Sequence, residues 1–273
     1  MVSFNERGQL PPVVFFHMWD AESDHLNALA ETLGPEQPLH GIQPPSNHVP
    51  QSFDEWVAHH RSGLDSLPID PPYRLAGWSF GGVAALEVAR GLQAEGVAVA
   101  WLGLVDTIRP VRLPKGVGPY ARHHLREFRA LTDNPLRLKY LRWLAGGSAK
   151  RTFLRVRLRT NRILARLRPE HERPMSVAEV KGWSPLQHSG AVSYRRYEAR
   201  PYDHPVELFV GESYRDTTYG VVTLGWSRYL SRLTVSRIEG SHLELFSPEN
   251  IDSLGRAIQT SLGVARARSE VTG

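Results

Sequence analysis

The chain has 273 residues, 41% of them hydrophobic, no cysteine and a formal net charge of +5. That length and apolar content suit one α/β domain carrying an insertion. The lack of cysteine excludes disulfides, thiolate metal centres and cysteine nucleophiles, and "PPVVFF" is too short an apolar run for a signal peptide or a membrane span, so a soluble, cytoplasmic protein is expected.

Short β-rich runs alternate with helical stretches, the pattern of βα units on a mainly parallel sheet. Pro12–Phe16 reads as a buried strand. Glu22–Leu33 reads as a helix with Leu26, Leu29, Ala30 and Leu33 on one stripe. Leu39–Ile42 is a second strand, and Phe53–Ser66 is a helix entered through Ser52. Tyr73–Ala76 is a short strand running into "GWSFGG". Phe80–Glu95 is a helix with Val83, Leu86, Ala89 and Leu92 inward and Gly96 just past its end. Val97–Val105 is the next strand, closed by Asp106. The pattern resumes with strands at Val206–Val210 and Leu233–Ile238 and a helix over Pro248–Leu262. The tail after Gly263 reads as frayed.

Between these halves the pattern changes. From Pro110 to about Gln187 no strand signal is visible, and Phe153, Val156, Thr160, Ile163 and Leu167 follow helical spacing. We expect a core of residues 11–109 and 188–262 with a helical lid inserted over 110–187. Pro110–Arg168 holds 16 Lys and Arg against Glu127 and Asp133, so it carries +14 and the rest of the chain −9. Such a block faces an acidic partner, nucleic acid or anionic lipid, or is simply a solvated helical face. Its few aromatics and the lack of any nucleic-acid motif speak against nucleic acid.

The serine of "GWSFGG" stands between Gly77 and Gly81. A strand precedes it and a helix follows, the context of a nucleophile elbow, where the residues two positions either side of a strained serine must be small. A serine nucleophile needs a base and an orienting acid, in the chain order Ser, acid, His for this topology. His242 follows the last predicted strand and precedes the last helix, so its loop opens at the same sheet edge as Ser79. Two regions offer the acid: Asp106, ending a buried strand, and Glu212 or Asp216 in "GESYRD". A lone Asp at the end of a hydrophobic strand has the weaker structural explanation, which favours Asp106.

The stretches "PYRLAGWSFGGVAALEVARGL", "LGLVDTIRP", "YEARPYDHPVELFVG" and "EGSHLELFSPENI" resemble the thioesterase domains that end nonribosomal peptide and polyketide synthases, over about Pro11 to Leu262. The resemblance implies an α/β-hydrolase fold with a helical lid after the acid-bearing strand. It implies Ser79 as nucleophile, Asp106 as orienting acid and His242 as base, without cofactor or metal. It also implies a substrate delivered as a thioester on the phosphopantetheine arm of an acyl or peptidyl carrier protein. The chain would leave by hydrolysis or by macrocyclisation. The oxyanion would be held by the backbone N–H of Phe80 and by a second donor from the loop after "VVFF". That loop departs from the family's His-Pro-Ala-Gly-Gly. It reads His17-Met18-Trp19-Asp20-Ala21, and an ungapped count puts Trp19 at the donor position. Other readings are an esterase or acyltransferase for free esters or acyl-coenzyme A, and a non-catalytic hydrolase-like scaffold with a basic binding insertion.

Overall fold

The computed structural model describes residues 1–18, 24–110, 182–212 and 223–272. Trp19, Asp216 and residues 111–181 of the expected lid lie outside the described residues. The run "VVFF" forms strand β2 (Val13–Phe16), with all four residues buried. Alternate side chains of a strand face opposite sides of a sheet, and here both sides are covered. Val14 and Phe16 join one hydrophobic cluster, Val13 and Phe15 the other.

Around β2 the chain builds β3 (Leu39–Ile42), β4 (Tyr73–Trp78), β5 (Val99–Val105), β6 (Tyr202–Val210) and β7 (Leu230–Arg237), all parallel. A short first strand, β1 (Val2–Phe4), pairs antiparallel with β3, giving the order β1-β3-β2-β4-β5-β6-β7. Helices α1 (Asp24–Leu33) and α5 (Ile251–Thr272) cover one face through Leu26, Leu29, Leu254 and Ile258. Helices α2 (Phe53–Asp65) and α3 (Phe80–Ala94) cover the other through Leu64, Val83, Leu86 and Leu92. Ser52 caps α2 as its sequence indicates, its hydroxyl accepting the Glu55 N–H at 3.2 Å.

The described elements match the expected ones in kind and order, with three differences. Strand β1 escaped prediction because three residues, even alternating as Val-Ser-Phe, carry too short a signal. Helix α4 (Pro185–Arg196) crosses the expected junction of insertion and core at 187/188. It opens on a reciprocal capping box, Ser184 with Gln187, and packs on α2 through a bond from Trp56 Nε1 to Ser189 Oγ of 3.3 Å. The residues after Gly263 are helical to Thr272 rather than frayed, and Ala265 packs on the core. An arginine-rich segment masked that continuation.

Glu87, on α3, is buried and fully engaged. It accepts the Tyr197 hydroxyl at 2.7 Å and pairs with Arg90 and Arg200. This network ties α3 to the segment leading into β6, and burial beside Glu87 pushes the Tyr197 hydroxyl's pKa upward.

Two histidines are packed at the end of β2. His17 is 1% exposed and His60 is fully buried. The Nδ1–H of His60 donates to the Trp56 carbonyl at 2.7 Å, and its ring lies 5.1 Å from Phe16. Burial lowers the pKa of His17 to about 3, helped by His25 and His60, and that of His60 to about 4. Above pH 6.5 both rings are neutral whether the chain is folded or not. Below it the unfolded chain takes up protons that the folded chain refuses, so stability falls as pH drops from about 6.5 toward 4. Each histidine adds a slope approaching ~1.4 kcal/mol per pH unit. Urea unfolding between pH 7 and 5 should therefore show a steep loss of stability. The double variant His17→Asn/His60→Gln should lose most of that slope, whatever its absolute stability. A flat wild-type profile would show that these rings are protonated at no cost.

Candidate active site

Four strand ends meet at one sheet edge. β4 runs into Ser79, β5 into Asp106, β6 into Gly211, and β7 into the turn that carries His242. The register sets their levels. Trp78 pairs with Val105, and Val105 with Phe209. The ladder continues one residue further, with Ser79 N–H donating to Val105 O at 2.9 Å and Asp106 N–H to Phe209 O at 2.7 Å. Ser79 and Asp106 thus leave neighbouring strands side by side.

Ser79 has φ 54° and ψ −113°, a conformation that costs any residue with a Cβ. Glycine makes the turn possible. A Cβ on Gly77 would lie 2.3 Å from the Gly81 carbonyl carbon, and one on Gly81 would lie 2.0 Å from the Phe16 oxygen. A Cβ on Gly82 would strike Thr107 Oγ1. The elbow is therefore pressed against both neighbouring strands. Ser79 stands at the N-cap position of α3, yet its hydroxyl makes no capping bond.

Phe80 opens α3 and is buried. Its ring lies 5.5 Å from Phe53, 5.1 Å from Trp56 and 6.2 Å from Tyr194. That packing fixes the first turn of the helix, where backbone amides face the terminus and the helix dipole is positive.

Asp106 is 0% exposed and has φ 45°. Its Oδ1 accepts the Gly211 N–H at 2.8 Å, and its Oδ2 lies 2.6 Å from His242 Nδ1. An ionised carboxylate only accepts, so Nδ1 carries the proton and Nε2 is the lone-pair nitrogen of the neutral ring. The His242 side chain is 22% exposed. Its turn is pinned by Leu245, fully buried, and by Asn250, whose Nδ2 donates to the Glu244 carbonyl at 3.1 Å.

Of the acids weighed from sequence, Asp106 is in contact with His242. Glu212 is exposed, and its backbone N–H donates to Gly240 O at 2.8 Å, joining the β6 exit to the His242 turn. Asp216 and Trp19 lie outside the described residues, while His17, just before Trp19, is buried. Sequence reasoning did not find Gly211 or Thr107. Each acts through a backbone approach or a single small contact and leaves no pattern in the chain.

The exit from Asp106 toward Pro110 is held as well. Arg109 N–H donates to Leu224 O at 3.0 Å and Arg109 Nε to Gly225 O at 2.8 Å, and its guanidinium lies over the Tyr229 ring. Trp226 Nε1 donates to Thr107 O at 2.7 Å. Among the described residues, no helix is long and apolar enough to cross a membrane.

The family model of the thioesterase domain matches residues 11–262. Enterobactin synthase component F of Escherichia coli (strain K12) is 24% identical over 266 residues, covering 93% of this chain and 18% of that protein. The chain therefore spans under a fifth of that relative's length. Malpibaldin synthetase of Mortierella alpina is 21% identical over 267 residues, covering 93% of this chain and 4% of that protein. Among solved structures, the NocB thioesterase domain from the nocardicin cluster superposes with a TM-score of 0.63 at 25% identity, covering 96% of this chain and 98% of that one. The SrfTE thioesterase domain, described with the cyclisation of the lipopeptide antibiotic surfactin, superposes with a TM-score of 0.58 at 16% identity, covering 96% and 94%. With its mostly parallel sheet, its strained serine between β4 and α3 and a family match across nearly its whole length, the chain belongs to the thioesterase domain family and has the α/β-hydrolase fold.

Proposed function

We propose that this thioesterase releases an acyl or peptidyl chain from the phosphopantetheine thioester of a carrier protein, through an acyl-enzyme on Ser79. The observation that carries this reading is the 2.6 Å contact of buried Asp106 with His242, beside a strained serine whose hydroxyl is not spent on capping. The Ser79 hydroxyl attacks the thioester carbonyl while His242 Nε2 takes its proton. Asp106 stabilises the imidazolium so formed and holds its tautomer. The Phe80 and Trp19 backbone N–H groups receive the oxyanion. Collapse breaks the C–S bond, and the pantetheine sulfur leaves with the proton from His242. Water, or an amine or hydroxyl of the chain itself, then attacks the ester with His242 again as base, releasing an acid or a ring. No cofactor takes part.

The partner follows from the company such domains keep, since the relatives are far longer synthase proteins. Residues 110–187 act as a helical lid over Ser79, and part of the +14 carried by Pro110–Arg168 steers an acidic carrier protein. The domain works in the cytoplasm.

A fluorophosphonate should add its mass to Ser79, and Ser79→Ala should abolish labelling while keeping the fold. Failure of the wild type to label would favour a non-catalytic scaffold. Asp106→Asn should slow turnover roughly 10³–10⁴-fold by releasing the wrong tautomer. Near-normal turnover of that variant, with Asp216→Asn inactive, would move the acid to Asp216.

The steering is tested on two substrates. Changing Arg155, Arg159 and Arg166 to Gln should raise KM for a carrier-loaded thioester and leave a small pantetheine thioester nearly unchanged. Added salt should weaken the wild type more than the variant, because charges beyond a Debye length of about 8 Å are screened at physiological ionic strength. Equal effects on both substrates would give the arginines a role in the pocket. A preference for free esters or acyl-coenzyme A over the carrier-loaded thioester would remove the carrier protein from the proposal.

A further inference from the structure

Among the described residues, Asp106 is not alone in contacting the His242 ring. The indole of Trp78, the residue before Ser79, lies 5.4 Å from the His242 ring, centroid to centroid, with the planes tilted by 43°. Trp78 is the last residue of β4 and is 8% exposed. Its own position is set by packing. Phe246 lies 5.0 Å away and His25 5.7 Å away, and Phe246 also touches His25 at 4.9 Å and Phe15 at 6.1 Å. The indole Nε1 is buried with no hydrogen-bond partner among the described residues, so dispersion rather than a polar tether locates the ring. The wall is continuous: Phe15 of β2 backs Phe246, Phe246 and His25 back Trp78, and Trp78 backs the imidazole.

We infer that Trp78 is the positioning residue of His242, a wall that stops the imidazole turning away from Asp106 while Ser79 is attacked or released. The bond to Asp106 fixes the Nδ1 atom but puts nothing against the face of the ring. A bulky neighbour on the ring face fills that place, and effective catalysis needs the base held to within a fraction of an ångström. The arrangement also couples base and nucleophile, because the wall belongs to the residue next to Ser79 and moves with the elbow. An aromatic ring within about 6 Å of a forming imidazolium adds attraction to the charged form.

This inference rests on the reading of Ser79, Asp106 and His242 as the catalytic triad, and the test keeps the two apart. The rate of fluorophosphonate labelling is compared for wild type, Trp78→Phe and Trp78→Leu, each counted per folded molecule by circular dichroism. Turnover of a pantetheine thioester is measured alongside. Trp78→Leu should label and turn over about 10–100-fold more slowly, a loss of the size expected for misplacing a base, with the fall in kcat and little change in KM. Trp78→Phe should stay within about threefold of wild type, because a ring still fills the wall. The downfield proton resonance of the Asp106–His242 hydrogen bond should broaden in Trp78→Leu and persist in Trp78→Phe. If Trp78→Leu does not fold, Trp78→Met, which keeps more of the volume without the ring, makes the same comparison. A folded Trp78→Leu or Trp78→Met with wild-type labelling, wild-type kcat and a sharp resonance overturns the inference. A wild type that does not label at all overturns the triad instead.

Discussion

A carboxylate with no access to water organises this molecule. Asp106 is wholly buried, and an unpaired charge there would cost several kcal/mol. It is paired twice, by the Gly211 amide and by His242, so three strand exits, those of β5, β6 and β7, converge on one functional group. Loops from distant parts of the chain are held in register by the need to satisfy it. Its backbone is also tied into the sheet through the Phe209 carbonyl, which places the carboxylate as rigidly as the strands themselves.

The elbow obeys a complementary constraint. Strain at Ser79 persists because the surrounding structure leaves the backbone nowhere else to go. Gly77 and Gly81 meet each other, Gly81 meets the end of β2, and Gly82 meets Thr107. Two of these contacts reach strands on opposite sides of β4. The serine is thereby raised at the sheet edge by the closeness of the packing beneath it, and the Phe80 ring anchors the helix that follows.

Much of this was readable in the sequence. The buried strands, the capped α2 and the glycine spacing of the elbow each follow from local chemistry, and Asp106 stood out because a lone acid ends an apolar strand. Features that depend on distant contacts were not readable. The three residues of β1 become a strand only by pairing with β3. Helix α4 straddles a boundary drawn from composition, because what holds it is tertiary: Trp56 of α2 bonds Ser189, and Tyr194 packs on Phe80 of α3. The C-terminal half of α5 looked frayed because its arginines hide a face that the core covers. Trp78 drew no reading of its own, since nothing in the chain connects it with a histidine 164 positions later.

The clamp at Arg109 has a mechanical consequence. Three residues beyond Asp106, the chain is fastened to the Leu224–Gly225 segment by two hydrogen bonds and a stacked guanidinium, and Trp226 grips Thr107 in between. A pull transmitted from beyond Pro110 is passed to the segment before β7 before it reaches the carboxylate. Whatever follows Pro110 can then differ in length and composition while the clamp keeps the distance between Asp106 and His242 constant.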